Sequence, residues 1–261
     1  MNADLAEQFR KQVRAFEVLA RRTCKAPTPT RVHDLRVLTR RLRALVWVGR
    51  RVAGVELLLV LRKRLRKLGR ALGERRLYDV AVADARTYQL DAASLAGRRE
   101  HALQPVLKLL KADRQRRLAA LLKRAARGLK AKPLAPLAEN LDDLARGLAQ
   151  ALKRAPRGKA EMHELRIAAK KVRYVFEILG RGVGELRDLQ GLLGRAHDLE
   201  VLQELLGAQA RVAADEAKAR ARAKRKMRGV VARALKTLEA ASKALVTQAE
   251  PQAEKKAGRS A

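Results

Sequence analysis

The chain has 261 residues and a formal net charge of +33, from 60 basic and 27 acidic side chains. Hydrophobic residues make up 48% of it, yet only seven are Phe, Trp or Tyr. This supply is sufficient for one large core, or two fused smaller ones, built from aliphatic side chains. Self-repulsion at such a charge opposes compaction, so the composition favours a polyanionic partner.

Membrane insertion and disulfide stabilisation are disfavoured by the sequence. The most apolar region, 44–61, is interrupted by Arg50, Arg51 and Glu56, so it falls short of a membrane span. Residues 1–14 lack the apolar centre of a signal peptide. A single cysteine, Cys24, permits no internal disulfide and fits a reducing cytoplasm, which is the predicted location.

Apolar residues at helical spacing, with few Gly and Pro between them, predict an all-α chain. In the first half, about 1–130, Thr28 is the expected N-cap of the second helix and Pro29 its first residue. Gly54 and Gly73 are expected to end the second and third helices, and Pro105 to kink the fifth. The predicted helices of this half are about Asp4–Arg22, Pro29–Val52, Val55–Leu72, Arg76–Leu95 and Arg98–Leu129.

The second half, about 134–246, follows a joint marked by Pro133 and Pro136. Pro156 and Gly158 separate its first two helices, and a run of three glycines from Gly180 ends the second. From Thr247 to Ala261 the composition predicts a disordered basic tail. The predicted helices of this half are about Leu137–Lys153, Lys159–Leu179, Glu185–Leu193, Ala196–Leu206 and Gln209–Val246.

One twelve-residue stretch occurs twice. Val32–Arg43 reads VHDLRVLTRRLR, and Met162–Arg173, 130 positions later, reads MHELRIAAKKVR. Histidine matches histidine, acid matches acid, and each copy ends in two basic residues, an aliphatic residue and an arginine. A repeat of this length with the same chemistry at each step indicates a duplicated unit.

On a helix of ~100° per residue, each copy divides into two faces. In the first copy, Arg36, Arg40 and Arg43 lie near His33, and leucines occupy the opposite side. In the second copy, Arg166, Lys170 and Arg173 lie near His163. We therefore expect each motif helix to bury its aliphatic stripe and to present one imidazole with three or four cations.

A second pair of segments supports the duplication. Residues 72–80 read LGERRLYDV, and residues 193–201, 121 positions later, read LGRAHDLEV. With these segments and the two His-acid-Leu-Arg helices, the chain resembles the CHAD domain family over roughly Ala3 to Leu245. The resemblance and the repeat imply an all-α, internally duplicated fold of two similar four-helix bundles, packed with pseudo-twofold symmetry. The family usually has an acid where Leu77 stands, and here only the second copy keeps it, as Asp198.

The resemblance also implies binding of inorganic polyphosphate through a basic surface or groove, with no catalytic activity. A single exposed cation 4 Å from a phosphate gains only about 1 kcal/mol in water. Many such cations along a phosphate chain would also release counterions, and the arginine fork can contact two phosphate oxygens at once. The candidate polyphosphate-binding residues are His33, Arg36, Arg40, Arg41, Arg43, Arg62, Arg66, Arg76, His163, Arg166, Lys170, Lys171, Arg173 and His197.

The histidines admit three interpretations. His33 and His163 could be structural, hydrogen-bonding residues, or they could contact phosphate, since a polyanion favours the protonated form. Phosphate contact is the interpretation favoured here. Metal binding is the weakest of the three, because no close His-Glu-x-x-His pair occurs, and His197 adds a third imidazole only if the fold brings it near.

Other functions remain open on sequence grounds. The leading alternative is a nucleic-acid-binding protein without sequence specificity, and another is an accessory or scaffold subunit of a phosphate-metabolising enzyme. No phosphate loop, dinucleotide fingerprint or metal-ligand set is recognisable, so no catalytic residue, metal or cofactor is predicted. The sequence thus predicts a cytoplasmic polyphosphate-binding protein. Targeting to polyphosphate granules is a further prediction.

Overall fold

A computed structural model describes residues 2–49, 55–128 and 136–247. These residues form helices joined by short connections and contain no strand, so the predicted all-α class is confirmed. None of the described helices combines the length and the apolar character needed to cross a bilayer. One 3₁₀ turn, Ala155–Arg157, joins α7 to α8. The α-helices are α1 (Asn2–Lys25), α2 (Pro29–Val48), α3 (Val55–Thr87), α4 (Ala93–His101), α5 (Leu103–Leu109), α6 (Ala112–Gly128), α7 (Pro136–Arg154), α8 (Lys159–Ile178), α9 (Gly184–Leu206) and α10 (Ala210–Thr247).

The start of α2 confirms the predicted cap. Thr28 is the N-cap, and its hydroxyl accepts a hydrogen bond from the Arg31 backbone N–H at 3.3 Å. Pro29 follows as the first helical residue, where its missing N–H has no cost because that group has no intrahelical partner. Thr28 and Pro29 therefore determine where the first motif helix begins.

The prediction that Gly73 ends a helix is wrong. Helix α3 runs for 33 residues, through Gly69 and Gly73, to Thr87. A methyl group at Gly73 would lie 3.7 and 3.8 Å from the Arg36 guanidinium, and one at Gly69 would lie 3.5 Å from Arg43 Nη1. These glycines let two long side chains of α2 lie close against α3, and a helical glycine costs only about 1 kcal/mol relative to alanine.

The actual break after α3 comes fifteen residues beyond Gly73. Gln89 has a left-handed backbone with φ of 58°, and the Leu90 N–H donates to the Ala85 carbonyl at 2.8 Å. The Asp91 carboxylate accepts from the Ala93 N–H at 2.9 Å and so starts α4. The predicted fourth helix, Arg76–Leu95, is therefore wrong: its first part belongs to α3 and its last part to α4.

Two further helix predictions are wrong. The predicted long helix from Arg98 is divided among α4, α5 and α6, with turns at Ala102 and at residues 110–111. The first turn lies just before Pro105, which has no N–H to donate to the His101 carbonyl and whose ring would clash with that carbonyl in a continuous helix. Conversely, α9 continues through Gly191 and Gly194, where two helices were predicted, and nothing in the structure explains glycine at those two positions.

The α-helices pack around a shared core. Helices α1 and α3 each contact α2 and α6, and helices α8 and α10 each contact α7 and α9. Contacts of α2 with α8 and of α3 with α9 connect these helices, and one hydrophobic cluster contains Phe9, Phe16 and Phe176. The two four-helix bundles, the internal duplication and the pseudo-twofold symmetry stay predictions.

Some predicted features lie outside the described residues. These are the end of the second helix near Val52 and Gly54, the joint at Pro133, and the tail beyond Thr247. Pro136 is described, and it is the first residue of α7.

Candidate polyanion-binding site

The two motif helices meet along their basic faces. Arg36 and Arg40 on α2 lie beside Arg166 and Lys170 on α8. Burial, together with the charges of Arg40 and Arg166, lowers the pKa of Arg36 to about 9. Burial likewise lowers the pKa of Lys170 to about 6, with the charges of Arg166, Arg40 and Arg36 acting in the same direction. We call these four residues the cationic cluster.

The cationic cluster has no compensating anion in direct contact. Within residues 2–49, 55–128 and 136–247, none of its four side chains forms an ion pair. The Arg166 Nε–H is buried without a hydrogen-bond partner, although Arg166 Nη2 lies 3.4 Å from His163 Nδ1. Like charges brought together in partial burial destabilise the free protein. An external anion that reached them would remove this unfavourable interaction.

One carboxylate lies near the cationic cluster. Burial raises the pKa of Asp198 on α9, while the charges of Arg166 and Lys170 oppose that rise. Asp198 makes no ion pair to any described residue within 4.0 Å. The sequence predicted an acid able to hold an arginine only in the second copy, and Asp198 is close enough to Arg166 for that charge to oppose the rise in its pKa. Leu77 in the first copy is exposed and apolar.

More arginines extend the cationic cluster along α2 and α3. The pKa of Arg43 is lowered by burial and by the charges of Arg40, Arg66, Arg62 and Arg70. Arg62 and Arg66 are exposed on α3. His33 and Arg43 are ten residues apart on one helix, a rise of ~15 Å. The first half therefore presents a continuous basic strip beside the α2–α8 contact.

The two motif histidines have different surroundings. His33 is exposed, and burial and then the charge of Arg76 on α3 lower its pKa. His163 packs edge-on against His197 of α9, with ring centroids 4.7 Å apart. Burial, then the charges of Arg166 and His163, lower the pKa of His197 to about 4. The fold thus brings His197 to His163, and both imidazoles are neutral at pH 7.

Three predicted residues lie outside this arrangement. Arg41 and Arg173 share one carboxylate, that of Glu177, each at 3.0 Å, so their charges are partly compensated. Lys171 is exposed on α8. No group of three His, Cys, Asp or Glu side chains in the described part of the chain is arranged to hold a metal ion.

Other residues of the site were missed by sequence reasoning. The Tyr174 hydroxyl is buried without a hydrogen-bond partner, and its ring lies 4.4 Å below the Arg173 guanidinium carbon. Lys159, Glu200 and Arg220 line a cavity beside His163 and His197. Gly73 was interpreted as a helix breaker, although its spacing of four from Gly69 places both glycines on one helix face, a signal for close packing.

Comparison with known proteins identifies relatives of this arrangement. The family model described as CHAD domain matches residues 7–185. A solved CHAD domain from the plant Ricinus communis superposes with a TM-score of 0.64 at 22% identity, covering 90% of this chain and 91% of that one. PptA from Streptomyces chartreusis superposes with a TM-score of 0.62 at 18% identity, covering 96% and 99%. No curated protein sequence matches the chain.

Proposed function

The chain belongs to the CHAD domain family, and we propose that it binds inorganic polyphosphate through the cationic cluster and the arginines that extend it. CHAD domains are linked to polyphosphate binding. The proposal is of binding alone, so it assigns no catalytic residue and no cofactor. It extends to association with polyphosphate granules in the cytoplasm.

The observation that carries the proposal is the meeting of uncompensated cations at the α2–α8 contact. Arg36 and Lys170 are only partly accessible there, so a ligand must be narrow to reach them. A polyphosphate chain is narrow and flexible, and it carries negative charge on every unit. A rigid double helix presents its phosphates on a broad surface, which suits exposed cations better than partly buried ones.

The aromatic residues argue against single-stranded nucleic acid. Proteins that bind such strands stack the bases on accessible aromatic rings. Here none of the seven aromatic side chains is exposed: Phe9, Phe16, Tyr174 and Phe176 are buried, and Trp47, Tyr78 and Tyr88 are half-buried. A ligand without bases fits this surface better.

A titration with charge-matched variants tests the proposal. In one variant Arg36 and Arg166 are both replaced by Gln; in the control, Arg222 and Arg225 are replaced by Gln. The control pair is exposed on α10 and makes no ion pair in the described part of the chain. Both variants lose two positive charges.

Arg36→Gln/Arg166→Gln is expected to weaken binding of long-chain polyphosphate at least 10-fold, because each charge-assisted contact contributes about 1.5–3 kcal/mol. The control is expected to change affinity by less than about 3-fold, as exposed charges contribute little. Circular dichroism checks that both variants stay helical. Equal weakening by the two variants would show that only bulk charge matters, and the proposal would fail.

A further inference from the structure

The cationic cluster does not end in the same way in the two halves. At the second-half end, Lys159 of α8, Glu200 of α9, and Glu216 and Arg220 of α10 form one ion-paired group, which we call the closing network. Lys159 Nζ lies 3.5 Å from Glu200 and 3.6 Å from Glu216. Arg220 pairs with Glu216 and lies 3.9 Å from Glu200. Two cations and two carboxylates make this group neutral.

The closing network lies directly against the basic site. Three of its members, Lys159, Glu200 and Arg220, line a small cavity of ≈ 20 Å³ together with His163, Arg166 and His197. Glu200 faces the imidazoles, with one carboxylate oxygen 3.9 Å from His197 Nδ1. A polyanion that followed the cationic cluster past His163 would therefore meet carboxylates.

The first-half end has no such carboxylate. When residues 72–80 are aligned with residues 193–201, Asp79 corresponds to Glu200. The Asp79 side chain is fully buried and paired with Arg75 at 3.1 Å. Arg75 in turn donates to the Arg99 carbonyl at 2.7 Å, so this pair is directed towards α4. His33 instead faces Arg76, and the acid beside it is the exposed Asp34 of its own helix.

Breaking the closing network would be unfavourable. Glu216 is 6% exposed, and its carboxylate depends on Lys159 and Arg220 for compensation. A phosphate that took those two cations would leave a buried carboxylate without a partner, which is strongly destabilising. The ligand thus gains no net charge compensation by displacing Glu200 and Glu216.

On the basis of the proposed function, we propose that Glu200 and Glu216 close the polyphosphate site at its second-half end, so that a bound chain runs from the His33–Arg76 end through the cationic cluster and stops at the His163–His197 pair. The closing network then sets the number of phosphates that one protein covers. It also makes the site directional, open at one end and blocked at the other.

Glu200→Gln tests this closure, since the substitution removes a charge and keeps the shape. Glu239→Gln is the matched control: Glu239 also pairs with a lysine, Lys243, at 2.9 Å, but on the exposed surface of α10. Polyphosphates of graded length are titrated against both variants and the wild type, and the shortest length that reaches full affinity is recorded. We expect Glu200→Gln to increase that length and to tighten long chains about 3- to 10-fold, while Glu239→Gln leaves the length unchanged.

A second measurement uses the unmodified protein and is independent of how any variant folds. Acetylation of Lys159, read by mass spectrometry relative to the exposed Lys218 of α10, is compared with and without saturating polyphosphate. We expect the relative reactivity of Lys159 to stay the same, because the bound chain stops before it.

Protection of Lys159 in the complex, or a Glu200→Gln variant with the same length dependence as Glu239→Gln, would overturn the closure and leave polyphosphate binding intact. Failure of the wild-type protein to bind polyphosphate of any length would overturn both proposals.

Discussion

Lys170 shows at the level of one residue how the basic site works. Its amine is partly buried beside Arg36, Arg40 and Arg166, and its pKa is about 6. At pH 7 most of these amines are neutral in the free protein. A bound polyanion favours the protonated form, so its arrival should raise the pKa towards the ordinary value of 10.5.

Polyphosphate binding should therefore take up protons between pH 6 and about 10, and affinity should fall as the pH rises through that range. Calorimetry at pH 7.5 in two buffers of different ionisation enthalpy measures the uptake. Lys170→Met should reduce it by up to about one proton and weaken binding about 10-fold, since one charge-assisted contact is lost. An unchanged uptake in Lys170→Met would show that this amine does not meet the ligand.

The same pKa shift has a consequence for the free protein. Because the folded-state pKa lies below the unfolded value of 10.5, the unfolded chain binds a proton that the folded chain does not. The contribution of Lys170 to the free energy of unfolding should thus rise with pH from about 6 to 10.5. Chemical denaturation across this range should show a smaller pH dependence in Lys170→Met than in the wild type.

Individual contacts of this site could be only partly predicted. A helical projection identifies Arg36 and Arg40 on one basic face and Arg166 and Lys170 on another, and in the structure the charges of these residues act on one another. The projection does not say what the face meets, because cationic faces are normally solvated. Nor could it predict that Glu177 would pair with Arg41, which is 136 residues away in sequence.

At the scale of helices, α3 depends on a small residue at position 73 for its contact with α2. The Arg36 guanidinium lies against Gly73, at distances that an added methyl group would still accept as ordinary contact. A larger side chain at this position would occupy the space of Arg36. Packing of α2 on α3 therefore accounts for a small residue here.

Gly73→Ala should leave polyphosphate affinity within about 2-fold of wild type and raise stability by up to about 1 kcal/mol, the difference in helix propensity. Gly73→Leu should move Arg36 away and weaken binding by about 10-fold, with its helical content retained. Titration and thermal unfolding of the two variants measure both quantities. If Gly73→Leu binds as tightly as Gly73→Ala, the position of Arg36 over Gly73 is not needed for binding.

Helix starts were predictable where the local chemistry is specific, as at Thr28 and Pro29. Helix ends marked only by glycine were not, because burial of a long helix outweighs the small cost of one glycine. The end of α3 was missed because no glycine marks it. Gln89 adopts a left-handed backbone although it is not glycine, and no sequence pattern predicts this.

At the scale of the whole molecule, the dominant quantity is the charge of +33. Residues 1–130 hold 33 basic and 11 acidic side chains, a net charge of +22, and residues 131–261 hold 27 and 16, a net charge of +11. This asymmetry agrees with the basic strip on α2 and α3. The core extends past residue 185, where the family match ends, because Met227 and Val231 of α10 belong to it.

Salt should act in opposite directions on the free protein and on the complex. Screening reduces self-repulsion, so the free protein should unfold at a higher temperature at 0.5 M than at 0.05 M NaCl. Polyphosphate affinity should fall steeply over the same range, as released counterions become less favourable. Thermal unfolding with and without polyphosphate measures both, and a free protein that salt destabilises would contradict this account of its charge.

The central claim is that a narrow polyanion reaches the partly buried cations between α2 and α8. Competition between long-chain polyphosphate and duplex DNA, at equal phosphate concentration and about 0.15 M salt, tests it most directly. We predict that polyphosphate displaces labelled DNA at least 10-fold more effectively than unlabelled DNA does. DNA that competes equally well or better would contradict the claim and favour a binding surface made of exposed cations.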